Sequence, residues 1–172
     1  PTDNLFSAPV FDRDIALKIG VQNLTMVSPD VGGVVRTRAL AKRVNADLAI
    51  IDKRRERAGE SEVMNVIGDV AGQTCVLFDD MVDTAGTLCL SAEALKSAGA
   101  AEVLACATHA VLSGKALDKI ESSPIETPIV SNTIAPENRR ACPQIETPSV
   151  AEPFGEAIRR INEKSSVSSL FD

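Results

Sequence analysis

The residues best suited to chemistry lie in one run, from Val76 to Leu88, which is Val-Leu-Phe-Asp-Asp-Met-Val-Asp-Thr-Ala-Gly-Thr-Leu. An apolar strand leads into two adjacent carboxylates, Asp79 and Asp80, and then into a loop of small residues before a helix. Backbone amides and hydroxyls at a helix N-terminus suit a bound phosphate. Carboxylates beside them suit sugar hydroxyls or a divalent metal ion. A phosphorylated sugar satisfies both halves of the motif.

A simpler explanation of the same residues is a helix N-cap, because Thr and Asp often cap helices without any ligand. A cap accounts for one or two of these residues. It does not account for two carboxylates at a strand end that are followed by a third, Asp83, and by the run Thr-Ala-Gly-Thr. We therefore favour a ligand site over a cap.

A second candidate element is the turn Ser28–Gly33, which contains Asp30 and two consecutive glycines. Asp30 could ligate Mg²⁺, and the glycines let the backbone approach a ligand or adopt a positive φ. Taken alone, the turn is better explained as an ordinary strand-to-helix connection with Asp30 near the N-cap. Arg36 and Arg38, in the predicted helix that follows, are interpreted as surface charges.

A third candidate element is the basic run Lys53-Arg54-Arg55-Glu56-Arg57. Such runs are usually solvated surface. This one begins just past an apolar strand, on a segment without periodicity that is predicted to be a mobile loop, in an acidic chain. Mobile cations can close over transferring phosphates and neutralise charge as it develops. Side chains alternate along an extended strand, so Lys53 and Arg55 would share one side, which singles them out over Arg54.

Other kinds of catalytic or metal chemistry are not indicated. His109 is the only histidine and has no partner nearby in sequence, so a structural or peripheral role is favoured. Four cysteines without a close pair do not predict a zinc site; they suggest buried free thiols in a reducing, cytoplasmic compartment. The chain also lacks the phosphate-binding pattern of P-loop enzymes.

Composition predicts one α/β domain. The chain has 172 residues, 44% of them hydrophobic and only 3% aromatic, which fits a parallel sheet covered by helices. A net charge of −6 and few aromatics argue against nucleic acid as a partner. No apolar run is long enough for a membrane span, and no signal peptide is visible. The chain opens without Met, which suggests a processed product or a fragment, and its Ser-rich tail, 164–172, is predicted to order only against a partner.

Apolar runs alternate with amphipathic segments, as in βαβ units. Strands are predicted at 24–28, 46–52, 62–67, 74–78, 103–108 and 128–131, with a short edge strand at 145–148. Helices are predicted at 34–44, 88–97, 115–121 and 153–161. Right-handed crossovers place the loops that follow parallel strands along one sheet edge, where open α/β sheets bind ligands. The turn at Asp30, the basic run at Lys53 and the motif at Asp79 are therefore expected to converge.

These motifs closely resemble those of one family, ribose-phosphate pyrophosphokinase (phosphoribosyl pyrophosphate synthetase). The matching stretches are Pro1–Leu5, Val27–Gly33, Ile51–Arg55, Asp79–Leu88, Ala107–His109, Val130–Ile134 and Ser166–Ser168. The phosphate motif alone would fit the wider phosphoribosyltransferase superfamily. The Asp-Lys-Arg-Arg and Ser-Pro-Asp elements narrow the resemblance to the synthetase family. The resemblance covers almost the whole chain but only the C-terminal half of the family's protein.

The resemblance implies a three-layer α/β/α fold of the type I phosphoribosyltransferase kind, with a mostly parallel sheet. It implies transfer of a diphosphoryl group from Mg-ATP to the 1-hydroxyl of ribose 5-phosphate, giving phosphoribosyl pyrophosphate and AMP, in a homo-oligomer, by resemblance a hexamer. No protein nucleophile is needed, because positioning, metal and charge suffice. The implied phosphate-binding residues are Asp83, Thr84, Ala85, Gly86 and Thr87.

The remaining roles are also carried over from the family. Asp79 and Asp80 contact the ribose hydroxyls, Lys53 and Arg55 stabilise the transition state, and Arg55 also touches the sugar phosphate. The residues of the implied pyrophosphate loop are Asp30, Gly32 and Gly33, with Asp30 as the Mg²⁺ ligand. The segment Ser166, Val167 and Ser168 is similar to one that helps bind a regulatory phosphate or ADP.

Two other functions stay open at this point. A salvage phosphoribosyltransferase would use a nucleobase rather than ATP and predicts a base-binding hood, which is not visible. A regulatory or associated domain would bind ribose phosphate and assemble with synthetase subunits without catalysis. The intact Lys53 and Arg55 argue against a degenerate relative, whereas the missing N-terminal half leaves turnover by this chain alone open.

Overall fold

A computed structural model describes residues 2–19, 22–54, 63–135 and 141–171. Its six strands are β1 (Leu24–Ser28), β2 (Asp47–Arg54), β3 (Val63–Ile67), β4 (Thr74–Val82), β5 (Glu102–Ala110) and β6 (Pro128–Val130). They form one sheet in the order β3-β2-β1-β4-β5-β6. All neighbouring pairs are parallel except β2 and β3, which are antiparallel.

Helices cover both faces of this sheet. They are α1 (Ala8–Lys18), α2 (Val34–Val44), α3 (Gly86–Ser97), α4 (Ala116–Ser122) and α5 (Ala151–Asn162), followed by a short 3₁₀ helix, Ser168–Leu170. α1 and α2 pack over one core, which includes Phe11, Leu40 and Val76. α3 and α4 cover the other, which includes Leu77 and Leu95. Burial on both faces explains why the central strands are runs of apolar residues.

The predicted fold class is confirmed, and two elements, Leu24–Ser28 and Val34–Val44, begin and end where the sequence predicts. Gly99 ends α3 as expected, with φ +93 and its amide bonded to the Lys96 carbonyl at 3.0 Å. α1 has no counterpart in the sequence prediction, although Phe11 and Ile15 have helical spacing and are fully buried.

Three strands continue further than predicted, and the predicted ends were wrong. β4 continues past its predicted end at Phe78 as far as Val82, and β5 continues as far as Ala110. The two strands stay in register up to the pair Val82–Ala110. β2 includes Lys53 and Arg54, because Arg54 pairs with Val63 of the antiparallel neighbour. Backbone pairing does not require apolar side chains, so polar residues at the strand ends remain in the ladder.

The C-terminal part of the chain shows two further differences from the sequence prediction. The predicted edge strand at 145–148 is a single bridge, between Glu146 and Ile129. In the tail, the ring of Phe171 packs edge-on against Phe6 with centroids 5.2 Å apart, and Arg160 donates to the Ser166 carbonyl at 2.9 Å. Within the described ranges, no helix is both long and apolar enough to cross a membrane.

Candidate functional site

The predicted convergence of ligand elements occurs at the carboxyl edge of the sheet. Asp30 follows β1, Lys53 lies at the end of β2, and Asp79 lies near the end of β4, and these three strands are neighbours and parallel. From β1 the chain moves outward to β2 and β3 and then returns to the other side of β1 as β4. The strand order therefore reverses between β1 and β4, the position at which open α/β sheets form ligand crevices.

Residues 83–87, which we term the phosphate loop, join β4 to α3. The N-cap of α3 is Ala85, in the left-handed conformation with φ 58, and no side chain bonds to the first amides of the helix. The explanation of Thr84 and Asp83 as helix caps is therefore not supported. Within the described ranges, the amides of residues 84–87 donate no hydrogen bond, so the positive end of α3 is open to an anion.

The segment after β5 fixes the start of this loop. Ser113 donates its amide to the Asp83 carbonyl at 3.0 Å and its hydroxyl to the Asp83 carboxylate at 2.5 Å. The Leu112 amide bonds to the Val82 carbonyl at 3.0 Å, and Leu112 has φ 50. Two non-glycine residues are thus left-handed here, Ala85 within the loop and Leu112 in the segment that contacts it, and such strain persists only where the surroundings enforce it. The Asp83 side chain is engaged in holding the loop.

Gly86, the first residue of α3, is not required by the fold. A Cβ atom placed there would lie 3.8 Å from Lys119 Nζ and 3.9 Å from Thr84 Oγ1, which are ordinary van der Waals distances. Its φ lies outside the left-handed region, so the backbone does not need glycine either. The absence of a side chain at Gly86 leaves the helix N-terminus accessible to the close approach of a ligand.

The two carboxylates of the motif share one cation. Arg36 on α2 places Nη2 3.0 Å from Asp79 Oδ1 and Nη1 3.0 Å from Asp80 Oδ2. The interpretation of Arg36 as a surface charge was therefore wrong. Arg36 occupies the third position of the helix after the Gly-Gly turn, and only the return of β4 beside β1 brings the carboxylates to it, so local sequence carries no signal for this contact.

Asp79 and Asp80 differ in their surroundings. Asp79 has 20% of its side chain exposed and Asp80 has 59%. Burial, with the neighbouring Asp80 carboxylate as a smaller cause, raises the pKa of Asp79 to about 6. The Asp80 amide, which donates to Asp79 Oδ1 at 2.8 Å, lowers this pKa, and Arg36 lowers it by less. A carboxyl group with this pKa can exchange its proton near neutral pH, where it can hold sugar hydroxyls as donor or acceptor.

The turn before α2 is built around Asp30 and Gly33. Asp30 Oδ1 accepts from the Gly33 amide at 2.7 Å, and the Ser28 hydroxyl donates to the Asp30 carbonyl at 2.7 Å. A Cβ at Gly33 would lie 2.8 Å from Ser28 Oγ, so a side chain there would displace this hydroxyl from its bond with the Asp30 carbonyl. Neither Gly32 nor Gly33 has a positive φ. A need for the left-handed conformation, one of the two explanations offered for these glycines, was therefore wrong.

A cavity of about 700 Å³ opens beside the carboxylates, and its lining includes Gly32, Arg36, Asp79, Asp80 and His109. A larger cavity, of about 960 Å³ between α1 and α5, contains none of the predicted site residues. The phosphate loop does not line either of them.

His109 lies on β5 and is tied to its surroundings. The Thr133 hydroxyl lies 2.8 Å from the Thr108 carbonyl oxygen, which can only accept, so Thr133 donates there. His109 Nδ1 lies 2.9 Å from the same hydroxyl and therefore donates to it. The partner of His109 is 24 residues further along the chain, which is why no partner is visible nearby in sequence.

The other predicted residues are placed as follows. Lys53 is exposed at the end of β2, whereas Arg55 lies outside the described residues. Ser166, Val167 and Ser168 lie in the tail, where the hydroxyls of Ser166 and Ser168 are 2.9 Å apart. Among the described residues, no group of three or more His, Cys, Asp or Glu side chains is arranged to hold a metal ion.

Sequence comparison identifies the family. Residues 55–172 match the family described as phosphoribosyl synthetase-associated domain, and the chain belongs to it. The chain is 54% identical over 173 residues to a ribose-phosphate pyrophosphokinase of Brucella melitensis, covering 100% of this chain and 56% of the relative. It is 55% identical over 172 residues to one of Nitrosomonas europaea, covering 99% and 54%. The chain thus spans about half the length of these curated relatives.

Comparison with solved structures agrees with the family assignment. The phosphoribosylpyrophosphate synthetase of Mycobacterium smegmatis matches with a TM-score of 0.86 and 32% identity, over 96% of this chain and 53% of that one. A purine phosphoribosyltransferase of Pyrococcus horikoshii matches with a TM-score of 0.51 and 16% identity, over 84% and 80%, which shows the fold alone. The predicted phosphoribosyltransferase-like fold is confirmed.

Gly86→Ala should separate ligand binding from folding. We expect the free energy of unfolding to stay the same or rise by up to about 1 kcal/mol, since Ala is the better helix residue. We expect the Cβ to block an anion at the helix N-terminus. Amide NMR should show shifts of residues 84–87 on addition of inorganic phosphate to the wild type but not to the variant. Equal shifts in both proteins would contradict the site, and Gly155→Ala, with nothing within 4 Å of its Cβ, is the control.

Asp79 should make stability depend on pH in the opposite sense to most paired carboxylates. Its pKa of about 6 exceeds the unfolded value of 3.8, so the stability that it contributes falls as pH rises through this range. Relative to the wild type, Asp79→Asn should gain about 1–2 kcal/mol in unfolding free energy between pH 4 and pH 7, after allowance for partial exposure. Urea denaturation measures this, with the exposed Asp47→Asn as control. A difference that does not change with pH would contradict it.

Proposed function

We propose that this chain carries the ribose 5-phosphate site and the catalytic loop of a ribose-phosphate pyrophosphokinase. The reaction transfers the diphosphoryl group of Mg-ATP to the 1-hydroxyl of ribose 5-phosphate and releases AMP. The observation that carries the proposal is the open set of amides at the N-terminus of α3, in the loop that follows β4 and its carboxylates Asp79 and Asp80 at the switch point of the sheet. Close relatives named for this activity support it.

The phosphate loop would hold the ester phosphate through the amides of residues 84–87 and the hydroxyls of Thr84 and Thr87. Asp79 and Asp80 would accept hydrogen bonds from the ribose hydroxyls. In the ligand-free chain Arg36 lies 3.0 Å from one oxygen of each carboxylate. Arg36 would then orient both carboxylates towards the sugar, so that the reacting hydroxyl is held in place.

Asp30 is the proposed magnesium ligand. Its Oδ1 is occupied by the Gly33 amide, which leaves Oδ2 for a cation. Mg²⁺ usually takes one or two carboxylates together with substrate phosphates and water, so a single Asp fits without a larger protein cluster. Bound Mg²⁺ would neutralise charge on the transferring diphosphate.

Lys53 and Arg55 would stabilise the charge that develops in the transition state. Lys53 stands at the carboxyl end of β2, the same edge as the phosphate loop, and the role of Arg55 rests on the family resemblance. ATP and ribose 5-phosphate as substrates, a homo-oligomeric assembly and a cytoplasmic location belong to the same proposal. So does a regulatory role for Ser166–Ser168.

A second candidate is a non-catalytic domain that binds ribose phosphate and assembles with synthetase subunits. The description of the matched family as an associated domain favours it. The two candidates share the sugar phosphate site and differ in whether Lys53 affects turnover. A salvage phosphoribosyltransferase is supported only by likeness of fold.

Calorimetric titration of the folded chain with ribose 5-phosphate in the presence of Mg²⁺ should show saturable binding. Ribose without the phosphate should bind at least about tenfold more weakly, because the charged contacts at the helix N-terminus are lost. Gly86→Ala serves as the variant with a blocked site. Absence of binding by the wild type, or equal affinity for ribose, would refute the proposed site.

Lys53→Ala should separate catalysis from binding. In a protein of the relatives' length that contains this chain, we expect kcat for AMP formation to fall about 100-fold or more, with KM for ribose 5-phosphate within about threefold. Arg38→Ala, which removes an exposed cation from α2, is the matched control. Equal loss of kcat and affinity would assign Lys53 to ground-state binding, and unchanged turnover would favour the non-catalytic candidate.

A further inference from the structure

Lys119 on α4 reaches across to the phosphate loop. Its Nζ lies 3.0 Å from the Thr84 carbonyl oxygen and 3.8 Å from the point where a Cβ of Gly86 would stand. Neither the motif nor the basic run includes this lysine, which lies 35 residues from Thr84 along the chain. It is a cation placed at the entrance of α3.

The contact constrains the direction of a backbone amide. In a trans peptide, the carbonyl and the following N–H point in opposite directions. Lys119 holds the Thr84 carbonyl, so the Ala85 amide points away from α4. Ser113 holds the Asp83 carbonyl in the same way, at 3.0 Å, so the Thr84 amide also points away from this segment. The next carbonyl, of Ala85, accepts the Cys89 amide at 3.0 Å within the first turn of α3.

Three successive carbonyls of the loop are thus each held by a donor, and the amides between them are left to face a ligand. Ala85 is left-handed and the helix begins after it, a conformation that turns successive N–H groups into an anion-binding concavity. Of the three donors, Lys119 is the only one from a charged side chain. It is also the one that a substitution can remove without altering the backbone.

The charge of Lys119 matters as well as its hydrogen bond. Asp79, Asp80 and Asp83 all precede the loop, and Arg36 is occupied with the first two. A dianionic phosphate placed here would add to this negative charge. Lys119 Nζ, near the helix N-terminus, adds to the positive end of the helix dipole and offsets the repulsion.

We propose that Lys119 is the positioning residue of the phosphate loop: it fixes the Thr84–Ala85 peptide so that its amide faces the ligand, and it supplies the cation that favours a phosphorylated sugar. This inference rests on the proposed function. Part of the specificity of the site for a phosphorylated sugar is thereby assigned to α4, a short helix outside the motif.

The test compares Lys119→Met, Lys119→Arg and Lys115→Met, which removes an equal charge from the residue just before α4. Calorimetry with ribose 5-phosphate should show a loss of about 10- to 100-fold for Lys119→Met, as for a charge-assisted hydrogen bond. Lys119→Arg should stay within about threefold and Lys115→Met within about twofold. The salt dependence of affinity should weaken only in Lys119→Met.

A second readout does not depend on the ligand. The amide NMR resonance of Ala85 should move in ligand-free Lys119→Met and stay in place in Lys115→Met. If affinity falls while this resonance is unchanged, charge alone acts and the positioning role is refuted. If the wild type binds ribose 5-phosphate and Lys119→Met binds equally well, the whole inference fails. If Lys119→Met does not fold, Lys119→Gln is judged by the same criteria.

Failure of the inference and failure of the proposed function are distinguishable. A wild-type chain that does not bind ribose 5-phosphate refutes the function, whereas a wild-type chain that binds with no effect of Lys119→Met refutes only the role of Lys119. Loss of affinity in Lys115→Met equal to that in Lys119→Met would show that only the net charge of the segment matters, which also refutes it.

Discussion

The candidate site depends on the pairing of β4 with β5 beyond their apolar residues. Register is kept to the pair Val82–Ala110, two residues past the second carboxylate of the motif. This pairing delivers Leu112 and Ser113 to the start of the phosphate loop, where their amides hold the carbonyls of Val82 and Asp83. Without it the loop amides would have no fixed direction. The left-handed Ala85 would also lack the surroundings that offset its strain.

The same pairing fixes an electrostatic balance. It holds Asp79 at a partly buried position where its charge is disfavoured, and the reversal of strand order brings Arg36 to both carboxylates. Two cations contact the acidic motif and the loop that follows it in the ligand-free protein, Arg36 and Lys119. The two cations act on different groups, Arg36 on the carboxylates and Lys119 on the loop backbone. Charge is therefore compensated locally, although the net charge of the whole chain is −6.

Local sequence was sufficient to predict features that depend on hydrophobic periodicity and on residues with strong structural preferences. These include the strand Leu24–Ser28, the helix Val34–Val44 and the position of the ligand elements at one sheet edge. It was insufficient for contacts set by topology. Arg36 looked like a surface charge because its carboxylate partners are distant in sequence; Asp79 lies 43 residues further along the chain. The ends of β4 and β5 were placed too early because side-chain polarity was taken as the limit of backbone pairing.

Two glycines of the site illustrate why a motif alone does not separate folding from binding. Gly33 has a role in the turn itself, because a Cβ would lie 2.8 Å from Ser28 Oγ and would displace that hydroxyl from the Asp30 carbonyl, even though the sequence suggested a role towards a ligand. Gly86 has room for a Cβ in the ligand-free chain, so its lack of a side chain has no explanation within the described structure. A residue that the fold does not require, at an open helix N-terminus beside a fixed cation, is explained by what binds there. The geometry around Gly86, rather than the presence of glycine, therefore supports the proposal that the phosphate loop binds a ligand.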